Sequence, residues 1–156
     1  FMKDYKCERL YRDTRITNIY EGTTQLQVVA AIRHVTTCTY LQQIKDYAAM
    51  PVVPELETLK RDLANMAETY EKMVEAVTSA KDADYLDFHA RRLVESAAHI
   101  IMGHLLLQDA NKDQELFRRS AEVYIHYGEI EVMKNWNFIS KSRIEDLGYY
   151  KPVLGE

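Results

Sequence analysis

The chain has 156 residues, of which 47% are hydrophobic and 28% are charged, and its net charge is −4. This composition excludes a disordered protein and is long enough for one sizeable core. The negative charge argues against a nucleic-acid partner and against electrostatic binding to an anionic membrane surface. Five glycines and three prolines favour long regular elements over a loop-rich all-β fold.

Cys7 and Cys38 are two isolated thiols, and their number and spacing fit neither a disulfide framework nor a structural zinc site. A reducing compartment, such as a bacterial cytoplasm, is therefore expected. The apolar run from Ala97 to Leu107 is interrupted by two histidines and a glycine, so no integral membrane segment is predicted. Because the first residue is Phe1, and no secretory signal is recognised, we expect a piece of a longer protein.

The N-terminal part is predicted to hold two short helices. Residues 5–16 carry charged side chains at i,i+3 and i,i+4 spacings, which favours a helix. A turn at 17–18 and a break at Gly22 follow, since glycine adopts backbone angles that other residues avoid. Thr23 or Thr24 is placed to cap a second helix that runs to about His34. Its spacing predicts these buried positions: Leu26, Val29, Ala30 and Arg33.

Two long helices are predicted in the middle of the chain. A less regular helix at 40–48 precedes a linker at 50–54, whose two prolines exclude a continuous helix. From Pro54 to about Ser79, apolar residues alternate three- and four-residue spacings. These positions are Leu56, Leu59, Leu63, Met66, Tyr70, Met73 and Val77.

The next helix, opened by Asp82 or Asp84, follows the same rule with small residues at alternate positions, so a partner helix can approach closely. Its buried face is predicted to contain Leu86, Ala90, Leu93, Ala97, Ile100, His104 and Leu107.

A third long helix is predicted to begin with a capping box formed by Asn111 and Gln114. Gly128 is expected to weaken it midway and Gly148 to mark its end. Its buried side is predicted to hold Leu116, Val123, Tyr127 and Ile130. Short connections at 79–84 and 110–113 require antiparallel neighbours, so residues 55–147 are predicted to form a three-helix array. The aromatic tail at 149–154 could pack on this array or dock on a neighbouring subunit.

Five histidines raise the question of a metal site. Glu95 and His99 share a helix face, but a di-iron bundle needs Glu-x-x-His motifs on two helices, and none is present, so no metal site is predicted. His104 is instead expected to be packed with one hydrogen bond and His99 to pair with Glu95. His34 and His126 are expected at the surface or at caps. The basic pairs Arg91-Arg92 and Arg118-Arg119 are expected on solvated helix faces.

Glu21 is the strongest candidate for chemistry. It stands before a glycine at a predicted helix start, beside Tyr20, and a carboxylate next to apolar groups tends to keep its proton more firmly. Such a base can remove a weakly acidic carbon proton. The alternative interpretation is a glutamate that only offsets the helix dipole.

The residues around Glu21 resemble the C-terminal signature of the flavin-dependent acyl-CoA dehydrogenases. The similarity is collinear and covers roughly residues 2–35. The matching segments are Lys3-Asp4-Tyr5, Glu8-Arg9-Leu10-Tyr11-Arg12-Asp13, Arg15-Ile16, Ile19-Tyr20-Glu21-Gly22-Thr23, Gln25-Leu26-Gln27 and Arg33-His34. Two departures, Lys6-Cys7 for a usual Pro-Val and Ala31-Ile32 for a usual Ile-Ala, are local.

The resemblance implies that Glu21 is the catalytic base, which takes the α-proton of a fatty acyl-CoA, while the β-hydrogen leaves as hydride to FAD. The product of this fatty acid β-oxidation step would be a trans-2-enoyl-CoA. The substrate contacts implied are Tyr20 and Gly22, and the FAD contacts implied are Thr23, Thr24 and Gln25. An electron-transfer flavoprotein is the implied electron acceptor. A base at Glu21 resembles the short- and medium-chain arrangement.

The expected fold is therefore an all-α helical bundle in two pieces. Residues 1–38 would end the acyl-CoA dehydrogenase catalytic domain, 39–54 would be a short helix and linker, and 55–156 would be an appended antiparallel three-helix module. Because the parts that hold most of the flavin are not in this chain, it is expected neither to retain FAD nor to turn over substrate alone. The alternative is a non-catalytic helical module for oligomerisation or interaction with a partner. A homo-oligomer is expected.

Overall fold

A computed structural model describes residues 7–18 and 24–155. Its α-helices are α1 (Cys7–Arg15), α2 (Thr24–Ala31), α3 (Arg33–Thr36), α4 (Thr39–Ala48), α5 (Glu57–Thr78), α6 (Ala83–Lys112), α7 (Gln114–Ile139) and α8 (Tyr150–Leu154). Short 3-10 helices occur at Ile16–Asn18, Pro54–Leu56 and Ile144–Gly148. The described residues contain no strand, so the all-α prediction is confirmed.

The centre of the molecule is an antiparallel bundle of α5, α6 and α7, each of which packs on the other two. Tyr85 at the start of α6 contacts Ser142 just after the end of α7, whereas His99 further along α6 contacts Tyr124 in the first half of α7. The two helices therefore run in opposite directions. Smaller helices cover α6, with α4 packing on α5 and α6 and α2 packing on α6. In the described part of the chain, no helix is long and apolar enough to span a membrane.

The predicted buried faces of α5 and α6 are confirmed. On α5 the positions from Leu63 to Val77 that follow the heptad pattern are buried, and Leu59 packs partly against them. On α6 the buried positions include the small residues Ala90 and Ala97. Pro54 begins its helix as predicted, although the first turn is a 3-10 turn before α5 starts at Glu57.

The prediction for α7 selected the wrong face. Four apolar residues predicted to be buried are exposed, and with Met133 they form what we call the outer apolar stripe: Leu116, Val123, Tyr127, Ile130 and Met133, each 49–65% exposed. The buried positions are Ala121, Ile125, Gly128, Val132, Asn135 and Ile139. This face carries smaller side chains, which allow α7 to approach α5 and α6 closely.

Gly128 does not interrupt α7, since the helix continues to Ile139 and the glycine lies buried beside Met66. Gly148 ends the following 3-10 helix and not α7 itself.

The helix caps also differ in part from the sequence pattern. Asp82 caps α6 as predicted, because its carboxylate accepts a hydrogen bond from Tyr85 N at 2.8 Å. The α7 cap is Asp113, which accepts from Leu116 N at 3.1 Å, so the prediction of an Asn111 capping box was wrong. The Asn111 side chain instead accepts from the backbone N–H of Val53 at 2.8 Å and ties the proline linker to the end of α6.

The C-terminal tail forms α8, and its apolar side chains are exposed: Tyr149, Val153 and Leu154. The described tail therefore does not bury these side chains against its own bundle. Leu147, just before the tail, is the residue that packs partly on the core.

Candidate active site

Of the predicted site residues, only Thr24 and Gln25 lie in the described part of the chain. Tyr20, Glu21, Gly22 and Thr23 fall outside the described residues. Thr24 is the first residue of α2 and Gln25 is the second, and both are exposed. Their hydroxyl and amide groups can therefore contact a ligand bound beside this helix, but they do not enclose one.

The helix that follows the predicted base is anchored on the bundle by a different face from the predicted one. Val28, Ile32 and Val35 are buried, whereas Leu26 and Val29 are more than half exposed. Ala30 and Arg33 are also exposed. The predicted helix to His34 is divided at Ile32, after which the short α3 begins. The sequence spacing therefore found the helix but not the face that packs on α6.

The helix before the predicted base, α1, has no buried side chain. Arg12 pairs with Glu8 at 2.8 Å and Arg9 approaches Asp13 at 3.4 Å, as the i,i+4 spacing predicts. Pairs this exposed contribute little to stability. The apolar residues Leu10 and Tyr11 on the same helix are largely exposed.

Two histidines of α6 are buried in the core. His89 has no exposed surface, and its ring lies against Tyr85 and Phe88 with centroids 4.6 and 4.9 Å apart. Neither ring nitrogen has a hydrogen-bond partner among the described residues. Burial, with a smaller effect of Arg92, lowers the pKa of His89 to about 4. The ring is therefore neutral at neutral pH and contributes packing. The sequence prediction did not include His89, although its helical spacing from Leu86 and Leu93 places it on the buried face.

His104 is also buried, as predicted, and its ring stacks on Tyr47 at 6.1 Å. The predicted hydrogen bond is missing at Nε2, which has no partner in the described part of the chain. Burial, followed by the charge of Lys60, lowers the pKa of His104 to about 4.

The predicted pair of His99 with Glu95 does not form. His99 Nδ1 instead shares a hydrogen bond with the hydroxyl of Tyr124 at 3.3 Å, and Glu95 pairs with Arg91 at 2.7 Å. The His126 ring is at the surface, and His34 packs its ring on Tyr40. Among the residues that the structure describes, no group of three or more His, Cys, Asp or Glu could hold a metal ion.

Arg92 departs from the prediction of a solvated basic pair. Its guanidinium carbon lies 3.7 Å from the ring centroid of Phe138 and 5.4 Å from that of Phe88. One N–H also donates to the Phe88 carbonyl at 3.1 Å. The i,i+4 spacing from Phe88 was a sequence signal for the first contact, but Phe138 comes from another helix.

Comparison with known proteins identifies two matching family profiles. The profile described as "Acyl-CoA dehydrogenase C terminal" matches residues 36–147, and that described as "Acyl-CoA dehydrogenase, C-terminal domain" matches residues 1–36. A solved structure, titled an acyl-CoA dehydrogenase family protein from Porphyromonas gingivalis, is 47% identical with a TM-score of 0.69. The similarity covers 73% of this chain and 98% of that one.

Curated relatives match over short segments only. An acryloyl-CoA reductase (NADH) from Anaerotignum propionicum is 54% identical over 35 residues, which is 22% of this chain and 9% of the relative. The caffeyl-CoA reductase-Etf complex subunit CarC from Acetobacterium woodii and an acyl-CoA dehydrogenase from Bacillus subtilis are each 59% identical over 27 residues, 17% of this chain and 7% of theirs. The long family match and the solved relative decide the assignment: the chain belongs to the acyl-CoA dehydrogenase family.

Proposed function

We propose that this chain is the C-terminal part of an FAD-dependent acyl-CoA dehydrogenase and that Glu21 is its catalytic base. The observation that carries the proposal is the tandem match of two C-terminal family profiles along one chain. In this proposal residues 1–38 end the catalytic domain, 39–54 form a short helix and linker, and 55–156 form an appended bundle. The cytoplasm or another reducing compartment is the proposed location.

In the proposed reaction this chain supplies the base and the substrate contacts, and the cofactor supplies the hydride acceptor. The carboxylate of Glu21 removes the α-proton of a fatty acyl-CoA, and its backbone N–H donates to the thioester carbonyl, which stabilises the developing negative charge. Tyr20 borders the acyl chain and Gly22 lies against the substrate. FAD, when bound, accepts the β-hydrogen as hydride, so the thioester loses two electrons and becomes a trans-2-enoyl-CoA.

Thr23, Thr24 and Gln25 are the proposed FAD contacts in this chain. Their fit can be examined at Thr24 and Gln25, whose exposed polar groups at the start of α2 suit an edge contact with a bound cofactor. Because two exposed side chains do not form an enclosed site, we propose that the chain by itself neither retains FAD nor turns over substrate. An electron-transfer flavoprotein is the proposed electron acceptor.

The apolar surface of α1 and α2 supports a place within a larger catalytic domain. Leu10 and Tyr11 on α1 and Leu26 and Val29 on α2 are each more than half exposed. Covering such side chains with protein is favourable, at roughly 25 cal/mol for each Å² of apolar surface removed from water. These faces therefore suit packing against another part of the enzyme.

The opposite reaction direction is a second candidate. Three of the similar proteins are named reductases, including the acryloyl-CoA reductase and a 3-(aryl)acrylate reductase from Clostridium sporogenes. In that direction Glu21 would donate a proton to the α-carbon of an unsaturated substrate. Measuring the full-length enzyme with a saturated acyl-CoA and an electron acceptor, and with an enoyl-CoA and an electron donor, separates the two directions.

The experiment that tests the base uses Glu21→Gln in the full-length enzyme. Loss of a general base is expected to lower turnover by about 10²–10⁴-fold. Flavin absorbance and acyl-CoA binding should be retained, because the amide keeps the shape of the side chain. Glu75→Gln, at an exposed position of α5, is the matched control and should leave turnover unchanged. Undiminished turnover in Glu21→Gln would exclude this residue as the base.

We further propose that the bundle mediates homo-oligomer formation through the outer apolar stripe. The stripe extends from Leu116 to Met133, about 26 Å along α7. A shallow groove of about 480 Å³ lies alongside it, lined by Val123 and Tyr127 together with Leu106. A continuous apolar surface of this kind is typical of an interaction site, and a second copy offers a stripe of matching length.

Sedimentation tests this association role. Val123→Glu should shift the chain toward monomer at micromolar concentration, whereas Ala64→Glu on the exposed face of α5 should not. A wild-type chain that is already monomeric at these concentrations would refute the proposal.

A further inference from the structure

A basic cleft lies between the C-terminal half of α7, the N-terminal half of α6 and the 3-10 helix that follows α7. Its volume is about 600 Å³. Its walls include three cationic side chains, Arg92, Lys134 and Lys141, and one carboxylate, Asp146. The lining is therefore net positive, although the whole chain carries a net charge of −4.

The Arg92 side chain contacts two aromatic rings and forms no direct salt bridge with any described residue. Its guanidinium is stacked on Phe138 and uses one N–H for the Phe88 carbonyl. Within the described part of the chain it forms no salt bridge, since the nearby Glu95 is paired with Arg91. Burial is the largest influence on the pKa of Arg92 and lowers it, although the charge of Glu95 opposes this. A partly desolvated cation without a direct salt bridge is stabilised when an anion binds beside it.

The other charged groups around the cleft leave it positive. Lys141 is exposed and forms no salt bridge with any described residue. Lys134 is paired with Glu131, so it contributes less. The Asp146 carboxylate accepts a hydrogen bond from the backbone N–H of Arg143 at 2.8 Å and keeps its negative charge. An incoming anion therefore meets Arg92 and Lys141 as two cations without salt bridges, against the single carboxylate of the lining.

Three hydrogen bonds, one of them buried, connect the walls of the cleft. Asn135 donates to the Ser96 hydroxyl at 3.1 Å, and the Tyr85 hydroxyl donates to the Ser142 carbonyl at 3.1 Å. The Ser142 hydroxyl donates to the Phe138 carbonyl at 3.0 Å. These contacts hold the backbone segment that carries Lys141 against α6, so the segment does not have to be ordered when a ligand binds.

We infer that this cleft binds a small diphosphate-bearing ligand, with Arg92 as the bidentate contact and Lys141 as the second cation. The planar guanidinium matches two phosphate oxygens, and a lysine adds a point charge. The amide of Asn137 at the rim can donate a further hydrogen bond. The ligand could be a free diphosphate or the diphosphate of a nucleotide, since both present the same group.

The test measures binding of inorganic pyrophosphate and of ADP to this chain by calorimetry and by amide NMR. We expect both ligands to bind with Kd on the order of 1 mM or tighter and to shift amide signals of residues 138–146. Tighter binding of ADP would identify a nucleotide as the ligand, and equal binding would identify free diphosphate. Binding should weaken as the salt concentration rises.

Two variants locate the site. Arg92→Gln and Lys141→Gln should each weaken pyrophosphate binding by about tenfold, and Lys72→Gln on the exposed face of α5 should have no effect. Arg92→Gln also loses its ring contacts, so Lys141→Gln keeps the test valid if the first variant unfolds. Three results would overturn the inference: no binding at about 5 mM ligand, binding that Lys141→Gln does not change, or binding to anionic vesicles without binding to pyrophosphate.

Discussion

Replacing Gly103 with alanine tests how closely the three long helices approach one another. A Cβ atom at Gly103 would lie 2.6 Å from Leu63 Cδ2 on α5 and 3.4 Å from Ile125 Cγ1 on α7. The first distance is far below van der Waals contact. Leu63 has no exposed surface, so it cannot rotate into solvent to make room.

The expected magnitude follows from two opposing effects. Alanine is favoured over glycine within a helix by about 1 kcal/mol. Forcing an extra methyl group into a filled core costs roughly 1–3 kcal/mol. Because the clash is with a fixed core side chain, we expect overpacking to prevail and Gly103→Ala to lower the free energy of unfolding by about 1–2 kcal/mol.

Gly128→Ala on α7 is the matched control. Its Cβ would meet Met66 Cε at 3.2 Å and His99 Cβ at 3.5 Å. A methionine methyl group moves with little cost, so helix propensity should prevail. We expect this variant to be neutral or more stable by up to about 1 kcal/mol.

Urea denaturation followed by circular dichroism measures both variants, and a double-mutant cycle identifies the clashing partner. Leu63→Val shortens the side chain that Gly103→Ala contacts, so the two changes together should cost at least about 1 kcal/mol less than the sum of the single changes. Additive costs, or a Gly103→Ala protein that is as stable as the wild type, would refute this packing argument.

Three further predictions concern stability. Burial lowers the pKa values of His89 and His104 to about 4 from an ordinary 6.5, so the unfolded chain binds more protons than the folded chain between these two pH values. The free energy of unfolding should therefore fall by about 2 kcal/mol per histidine from pH 8 to pH 5. His104→Leu should make this pH dependence smaller in urea titrations. Asn111→Ala should cost about 1–2 kcal/mol in chemical denaturation, because the part-buried Val53 N–H loses its acceptor, and unchanged stability would contradict the proposed tether. Asp82→Ala should lower stability by about 1 kcal/mol in calorimetry, and an equal loss in Asp84→Ala would argue against Asp82 as the α6 cap.

The sequence motif of the candidate site could be recognised, but the packing of the helix that follows it could not be predicted. The spacing of charged, aromatic and glycine residues around Glu21 indicated the family, and the family profiles agree with it. The role of Glu21 stays a prediction, since residues 19–23 lie outside the described part. The packing of α2 was predicted wrongly, because Val28 and Val29 are both apolar and only the position of α6 determines which is buried.

The sequence by itself determined the helical class and the buried faces of α5 and α6, because each of these helices has one strong apolar pattern. The helix α7 has two apolar patterns, and only the tertiary structure decided which of them is buried. There Leu116 and Tyr127 are exposed, while Ala121 and Gly128 face the bundle, because close approach requires small side chains. Tertiary structure alone also brought Arg92 of α6 onto Phe138 of α7, since residues 46 positions apart meet only when the helices pair.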